Sequence, residues 1–260
     1  MHRLPALIIS AALCLGCCSP AGPGDFTSGE TALIHRSASG LEADAPEGTM
    51  RVLTVRDSSD LAVLRSKSSD LSAHALLSSD YEDLSRLMVA TVTHPSQDGV
   101  GIAGPQVGLN RRVVAVQRFD KEPVLRAGRL DHPFEVYPNI RIVWASDSLA
   151  AGPEGCLSVP DRRGDVLRST EIVIEYADMV FTTADEPNPS DRHTSQPSEN
   201  QKLTLNRLCH PPHAILHNQL NSIILREAIP IVRDTISGFT AVIFQHEIDH
   251  LEGVLYIDRL

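Results

Sequence analysis

Aromatic residues are scarce in this 260-residue chain, at 4% with a single Trp. No tandem stacking motif of the kind that holds single-stranded nucleic acid is present. Positive charge is also in short supply. Lys and Arg number 23 against 33 Asp and Glu, and the formal net charge of −10 argues against nonspecific binding to nucleic acid. Of the five cysteines, Cys14, Cys17 and Cys18 fall in the first twenty residues and only Cys156 and Cys209 lie in the body. That is too few for a disulfide framework. No internal repeat is found. What is present is a hydrophobic content of 42%, in a chain long enough for one sizeable core.

The run His246-Glu247-Ile248-Asp249-His250 ends ten residues before the last residue and has the form H-E-x-x-H. On a helix, two histidines four residues apart share a face and can share a metal ion. Glu247 then stands beside the metal, where it can handle the protons of a water. Ser237-Gly238 and Gly253 are start and stop signals for such a helix. Phe239, Val242, Ile243, His246 and His250 keep the i, i+3, i+4 spacing of an inward stripe. Taken alone, the run reads equally well as a helix with two buried, hydrogen-bonded histidines. Downstream it leaves only Glu252 and Asp258 as further ligands, so a third ligand is expected from upstream.

Glu154-Gly155-Cys156-Leu157-Ser158 is the best upstream source. A Cys156 thiolate with two imidazoles leaves one tetrahedral position open, the layout of a catalytic site. By itself, Cys156 is more often a small buried thiol. A third segment runs from Gly99 through Val100, Gly101, Ile102, Ala103, Gly104 and Pro105 to Gln106. Its glycines would let a substrate backbone approach closely. It is not a phosphate loop, because no Gly-Lys-Ser/Thr follows.

In this order the three segments resemble the peptide deformylase family, which carries G-x-G-x-A-A-x-Q, then E-G-C-L-S, then Q-H-E-x-D-H. This chain has GVGIAGPQ, EGCLS and QHEIDH. The one departure is Gly104 where alanine is usual, a change expected to loosen the backbone locally without removing a functional group. The resemblance covers residues 50–260 apart from one insertion. It implies an α+β fold, with antiparallel sheets packed around the C-terminal metal-binding helix.

The resemblance also implies site roles. Cys156, His246 and His250 would hold one divalent metal ion. Fe(II) would be the most active form, with Zn(II), Ni(II) or Co(II) as alternatives. The metal would lower the pKa of a water, and the resulting hydroxide would attack the formyl carbon of an N-formylmethionyl peptide and release formate. Glu247 would act as general base and then acid. The Gln106 side chain and the Leu157 N–H would stabilise the oxyanion. Gly101 and Arg163 would lie against the peptide. Val100, Phe239, Val242 and Ile243 would line the pocket for the methionine side chain. The duller readings are a solvated turn for Arg163 and ordinary core for the four apolar residues. Partners would be formylated peptides and no nucleic acid, with the protein a monomer or weak dimer. Two other function classes remain. An HExxH metallopeptidase is disfavoured by the missing downstream ligand. A non-catalytic, lipid-anchored formyl-peptide-binding protein is disfavoured by the intact polar set.

The first residues read as an export signal. Arg3 precedes an apolar run over residues 4–16, too short to span a bilayer but of signal-peptide length. It ends at Gly16-Cys17-Cys18 and resembles a bacterial lipoprotein signal, although Cys14 stands where leucine is usual. The expectation is a signal over residues 1–17 and a flexible tether over 18–49, rich in Gly, Ser, Pro and Ala. A catalytic domain over 50–260 follows, anchored by lipid in the cell envelope outside the cytoplasmic membrane. The lipid would be its sole membrane contact. The alternative is a cytoplasmic protein begun at Met50.

Within that domain, periodicity predicts a helix over 81–93, strands over 112–117, 140–144 and 171–176, and an extended segment over 51–55. The insertion falls at about 182–225. Its first half is rich in Pro, Ser and acidic residues and reads as a surface loop. Its second half is apolar and reads as an interaction surface or a lid. His213 and His217 within it have metal-ligand spacing, but no acid or further cysteine completes a second site.

Overall fold

A computed structural model describes residues 22–126, 129–179 and 229–260. The signal region, Cys209, His213, His217 and the insertion at 182–225 lie outside the described residues. Helices α1 (Ser28–Ala38), α2 (Ser58–Leu64), α3 (Ala73–Leu76) and α4 (Ser79–Val92) come first. Strands β1 (Gly101–Ala103), β2 (Val113–Gln117), β3 (Val124–Arg126), β4 (Arg129–Asp131), β5 (Phe134–Pro138) and β6 (Arg141–Ala145) follow. Then come β7 (Leu149–Cys156), β8 (Val159–Ser169), β9 (Glu171–Ala177) and β10 (Ile231–Ser237), and last helix α5 (Gly238–Leu251). All strand pairs are antiparallel. They form the sheets β1-β2-β5 and β10-β9-β6 and the hairpins β3-β4 and β7-β8. The α+β expectation holds.

Strand β2 explains how the layers join. All five of its residues are buried, so it has no solvent face. Val113 and Ala115 enter one apolar cluster with Leu84, Leu87 and Met88 of α4. Val114 and Val116 enter another with Ile243, Phe244 and Ile248 of α5. The two-residue period of a strand thus divides its side chains between helices on opposite faces. Helix α5 is held against this sheet and against Ile172, Ile174 and Ile236 of the other. Residues 51–55 join no sheet, and a turn begins at Val55. Instead Leu53 N donates to Gln106 O and Val55 N to Ser158 O, tying the glycine-rich segment and the EGCLS segment to the front of the domain.

The expected tether over 18–49 is corrected for residues 22–49, which belong to the folded body. Composition misled here, because the ordering signal is local. Thr27 and Glu30 form a capping box, with Thr27 N donating to Glu30 Oε2 at 2.7 Å. The helix it starts buries Ile34 completely, in the same cluster as Phe26 and α4. Arg111, on the approach to β2, grips both Glu30 oxygens at 2.6 and 2.7 Å and donates to Asp25 O. A chain begun at Met50 would lose all of this. It is expected to be less stable by at least about 2–3 kcal/mol, roughly the burial of Ile34 alone. A lower denaturation midpoint in urea would show it, and an unchanged midpoint would refute it.

Candidate metal centre and active site

The second and third motifs meet across the β7-β8 hairpin and α5. Cys156 is the last residue of β7, and His246 and His250 project from one face of α5. Their ligand atoms all lie within 4.8 Å of one another, with Cys156 Sγ 3.2 Å from His250 Nε2. One thiolate and two imidazoles make a soft donor set suited to a divalent transition metal.

The surroundings fit a cation. Glu154 Oε2 accepts from His246 Nδ1 at 2.8 Å, which leaves Nε2 of that ring for a metal. Glu154 is in turn held by Arg168 through bonds of 2.8 and 3.0 Å. Burial opposes its charge, but Arg168 and His246 outweigh that and lower its pKa to about 2. Burial likewise opposes a proton on His246, yet Cys156, Glu154 and Glu247 push its pKa up to about 10. The same negative groups would favour a divalent cation there. Burial and the charge of its neighbours instead keep His250 neutral, as a ligand must be. Glu154→Gln should therefore keep the fold but weaken metal affinity by about 10–100-fold, the usual effect of losing a partner behind a ligand. Metal release to a graded chelator would measure it.

Glu247 follows His246 on α5 and borders the same cavity. Burial raises its pKa to about 7. Its Oε2 is buried with no partner among the described residues, as is His250 Nδ1. Leaving a buried polar atom unpaired costs about 1–3 kcal/mol, and at a site it marks where water or a ligand belongs. Gly101 faces Glu247 directly, and a Cβ there would fall 2.5 Å from Glu247 Oε1. Any side chain at 101 would displace the carboxylate.

Gln106 is 1% exposed and fixed at both ends of its amide. Oε1 accepts from Ala103 N at 2.8 Å, so Nε2 faces Cys156 Sγ at 3.5 Å and Ser158 Oγ at 3.3 Å. The turn carrying it is tight. A Cβ on Gly104 would meet Arg111 O at 2.6 Å and Leu109 O at 2.7 Å. The expectation that Gly104 loosens the backbone is thus corrected: glycine here permits a closer turn than alanine would.

A cavity of about 710 Å³ opens over these groups. Every residue expected to touch substrate borders it: Val100, Gly101, Arg163, Phe239, Val242 and Ile243, with Leu157 beside Cys156. Phe239 is 57% exposed at the rim and its ring lies tilted against Phe119 at 5.3 Å, so the inward stripe of α5 does not include it. Glu154 and Asp249 were legible within the motifs but carried no assigned role. Asp249 accepts from Arg168 at 2.6 Å and from Nε and Nη2 of Arg259. Nothing in the sequence marked Arg168, whose position is set only by the hairpin register.

A family model described as polypeptide deformylase matches residues 50–186 and 229–260. The chain belongs to the polypeptide deformylase family. It is 30% identical over 199 residues to a peptide deformylase of Leptospira biflexa, across 76% of this chain and 82% of that one. A second relative is peptide deformylase 2 of Gloeobacter violaceus, 31% identical across 76% of this chain and 74% of its own length. Among solved structures, the class I type b peptide deformylase of Acinetobacter baumannii, bound to Met-Ala-Ser, aligns with a TM-score of 0.54. It is 26% identical and covers 82% of this chain and 98% of its own. As a deformylase this protein is a metal-dependent hydrolase that removes the N-formyl group from formylated peptides. The matched region omits residues 1–49, so α1 lies outside it.

Proposed function

We propose that Cys156, His246 and His250 hold the catalytic metal and that Glu247 moves the protons of the reaction. The observation that carries this is the convergence of three ligand atoms beside a buried, unpaired carboxylate oxygen. When bound, the metal supplies the Lewis acidity that makes water nucleophilic near neutral pH. Glu247, with its pKa raised to about 7, is poised to accept that water's proton and deliver it to the departing amine. Gln106 Nε2 and the Leu157 N–H would meet the formyl oxygen as it gains charge. Val100, Val242, Ile243 and Phe239 would seat the methionine side chain. Formate release from a formyl-Met peptide, with Cys156→Ala as control, tests the whole assignment. Cleavage of internal peptide bonds, or peptide binding without turnover, would replace it. Gln106→Ala should slow kcat by roughly 100-fold, as expected for one oxyanion donor, at unchanged metal content. A proportionate loss of metal would move Gln106 to a purely structural role.

The choice of metal follows the compartment. Fe(II) suits the donor set, and Zn(II) would better survive an oxidising one. We further propose that the protein is exported and lipid-anchored at Cys17 or Cys18, with the insertion at 182–225 serving substrate capture. The packing of residues 22–49 supports synthesis from upstream of Met50, because a start there would discard a helix of the core. If Cys17 or Cys18 carries the lipid, nine or ten residues separate the anchor from the start of α1. The catalytic body would then sit close to the membrane. Mass spectrometry of the N-terminus from fractionated cells tests this. A lipidated cysteine in the membrane fraction supports it, and a soluble form beginning at Met50 refutes it.

A further inference from the structure

The outer wall of the cavity carries two adjacent guanidinium groups that the reaction does not use for chemistry. Arg162 and Arg163 lie near the start of β8, both exposed and both bordering the cavity. Neither makes an ion pair among the described residues, whereas the neighbouring Asp161 is paired with Arg56. Of the inner carboxylates, Glu154 is committed to Arg168 and His246, and Glu247 is buried on α5. Asp98 is the remaining acid at the cavity edge, and it belongs to the loop before Gly99, not to the hairpin. The hairpin register sets Arg163 opposite Gly155, one residue before Cys156. A Cβ on Gly155 would lie 3.5 Å from Arg163 Cγ and 3.8 Å from its Cζ, so the side chain folds over the strand that carries the metal ligand. Unspent positive charge therefore stands beside the path a peptide must take after its formyl end is seated.

We propose that Arg162 and Arg163 form a clamp for the terminal carboxylate of short formylated peptides, so that released di- and tripeptides are favoured over longer chains. Paired guanidinium donors suit a carboxylate because its two oxygens accept charge-assisted hydrogen bonds in a fixed geometry. A cavity of this volume holds a ligand of small-molecule size, and a long chain would leave it with no carboxylate near the arginines. The inference rests on the deformylase reading and adds the class of substrate the site prefers.

The test compares formyl-Met-Ala-Ser as free acid and as C-terminal amide on the full-length, metal-loaded protein. The acid should be favoured by about tenfold or more in kcat/KM, with the advantage shrinking at higher salt and in a hexapeptide. Arg162→Gln should bring the ratio of acid to amide towards one, and Arg162→Glu should turn it in favour of the amide. Equal turnover of acid and amide by the native protein would overturn the proposal. So would an acid preference that survives in the double variant Arg162→Gln, Arg163→Gln. Absence of turnover with both peptides would instead count against the deformylase reading. In that event calorimetric titration with Met-Ala-Ser as acid and amide still decides the clamp, since equal affinities would exclude it.

Discussion

His246→Ala should leave the protein folded and nearly free of metal. The imidazole would supply one of the three proposed ligands, and its removal would open a second coordination position to water. Loss of a partner behind a ligand already costs about 10–100-fold in affinity, so loss of the ligand itself should cost more than about 100-fold. The fold should survive because Glu154 keeps both bonds from Arg168, and Arg168 keeps Asp249. That separates the result from simple unfolding. Elemental analysis after gel filtration should find about one metal per chain in the native protein and little in the variant, and formate release should vanish with the metal. Full occupancy in His246→Ala would remove this residue from the ligand set, whatever happened to activity. Gln245, one position earlier, offers a matched control, because its amide is spent on Ser169 and the Ala241 carbonyl.

The contrast between Arg168 and the ligands it supports explains how far the sequence could be read. Motifs announce residues whose spacing is itself the chemistry. His246, Glu247 and His250 lie on one helix, and a helical period turns their spacing directly into a shared face. Strand β9 was legible because its β-branched run Ile172, Val173 and Ile174 favours a strand, and burial alternates along its first five residues. Strand β7 was not, since it is largely Gly, Ala and Pro and owes its conformation to pairing with β8. Arg168 and Arg111 act across 14 and 81 residues, on Glu154 and Glu30, and no local pattern reports such pairs. The same blindness produced the tether. Residues 22–49 are poor in strong periodic signal, and their order comes from a cap, a buried Ile34 and a guanidinium that arrives from another element. Gly104 is a subtler case. Its meaning depends on the carbonyls of Leu109 and Arg111, which only the folded turn brings near.

Glu247→Gln should separate binding from chemistry. The substitution keeps shape and polarity but cannot accept a proton, so kcat should fall by roughly 100-fold or more while KM changes little. Metal content should remain that of the native protein, because Glu247 is not among the converging ligand atoms. Burial is the main cause of its raised pKa, and the charge of His246 opposes the shift. A base must be unprotonated to act, so native activity should decline as pH falls through the pKa of this group. That value is about 7 with the ligands alone and lower once a cation adds its own charge. In the Gln variant the acidic limb of the kcat/KM profile should disappear along with most of the rate. A variant that turned over at near-native rate with the limb intact would assign the proton transfer to another group. Because Glu154 is engaged by Arg168 and His246, and Asp249 by Arg168 and Arg259, no nearby carboxylate of α5 or β7 stands ready to take that role. The unpaired Oε2 of Glu247, buried at the end of the cavity that receives the peptide, is what sets it apart from both.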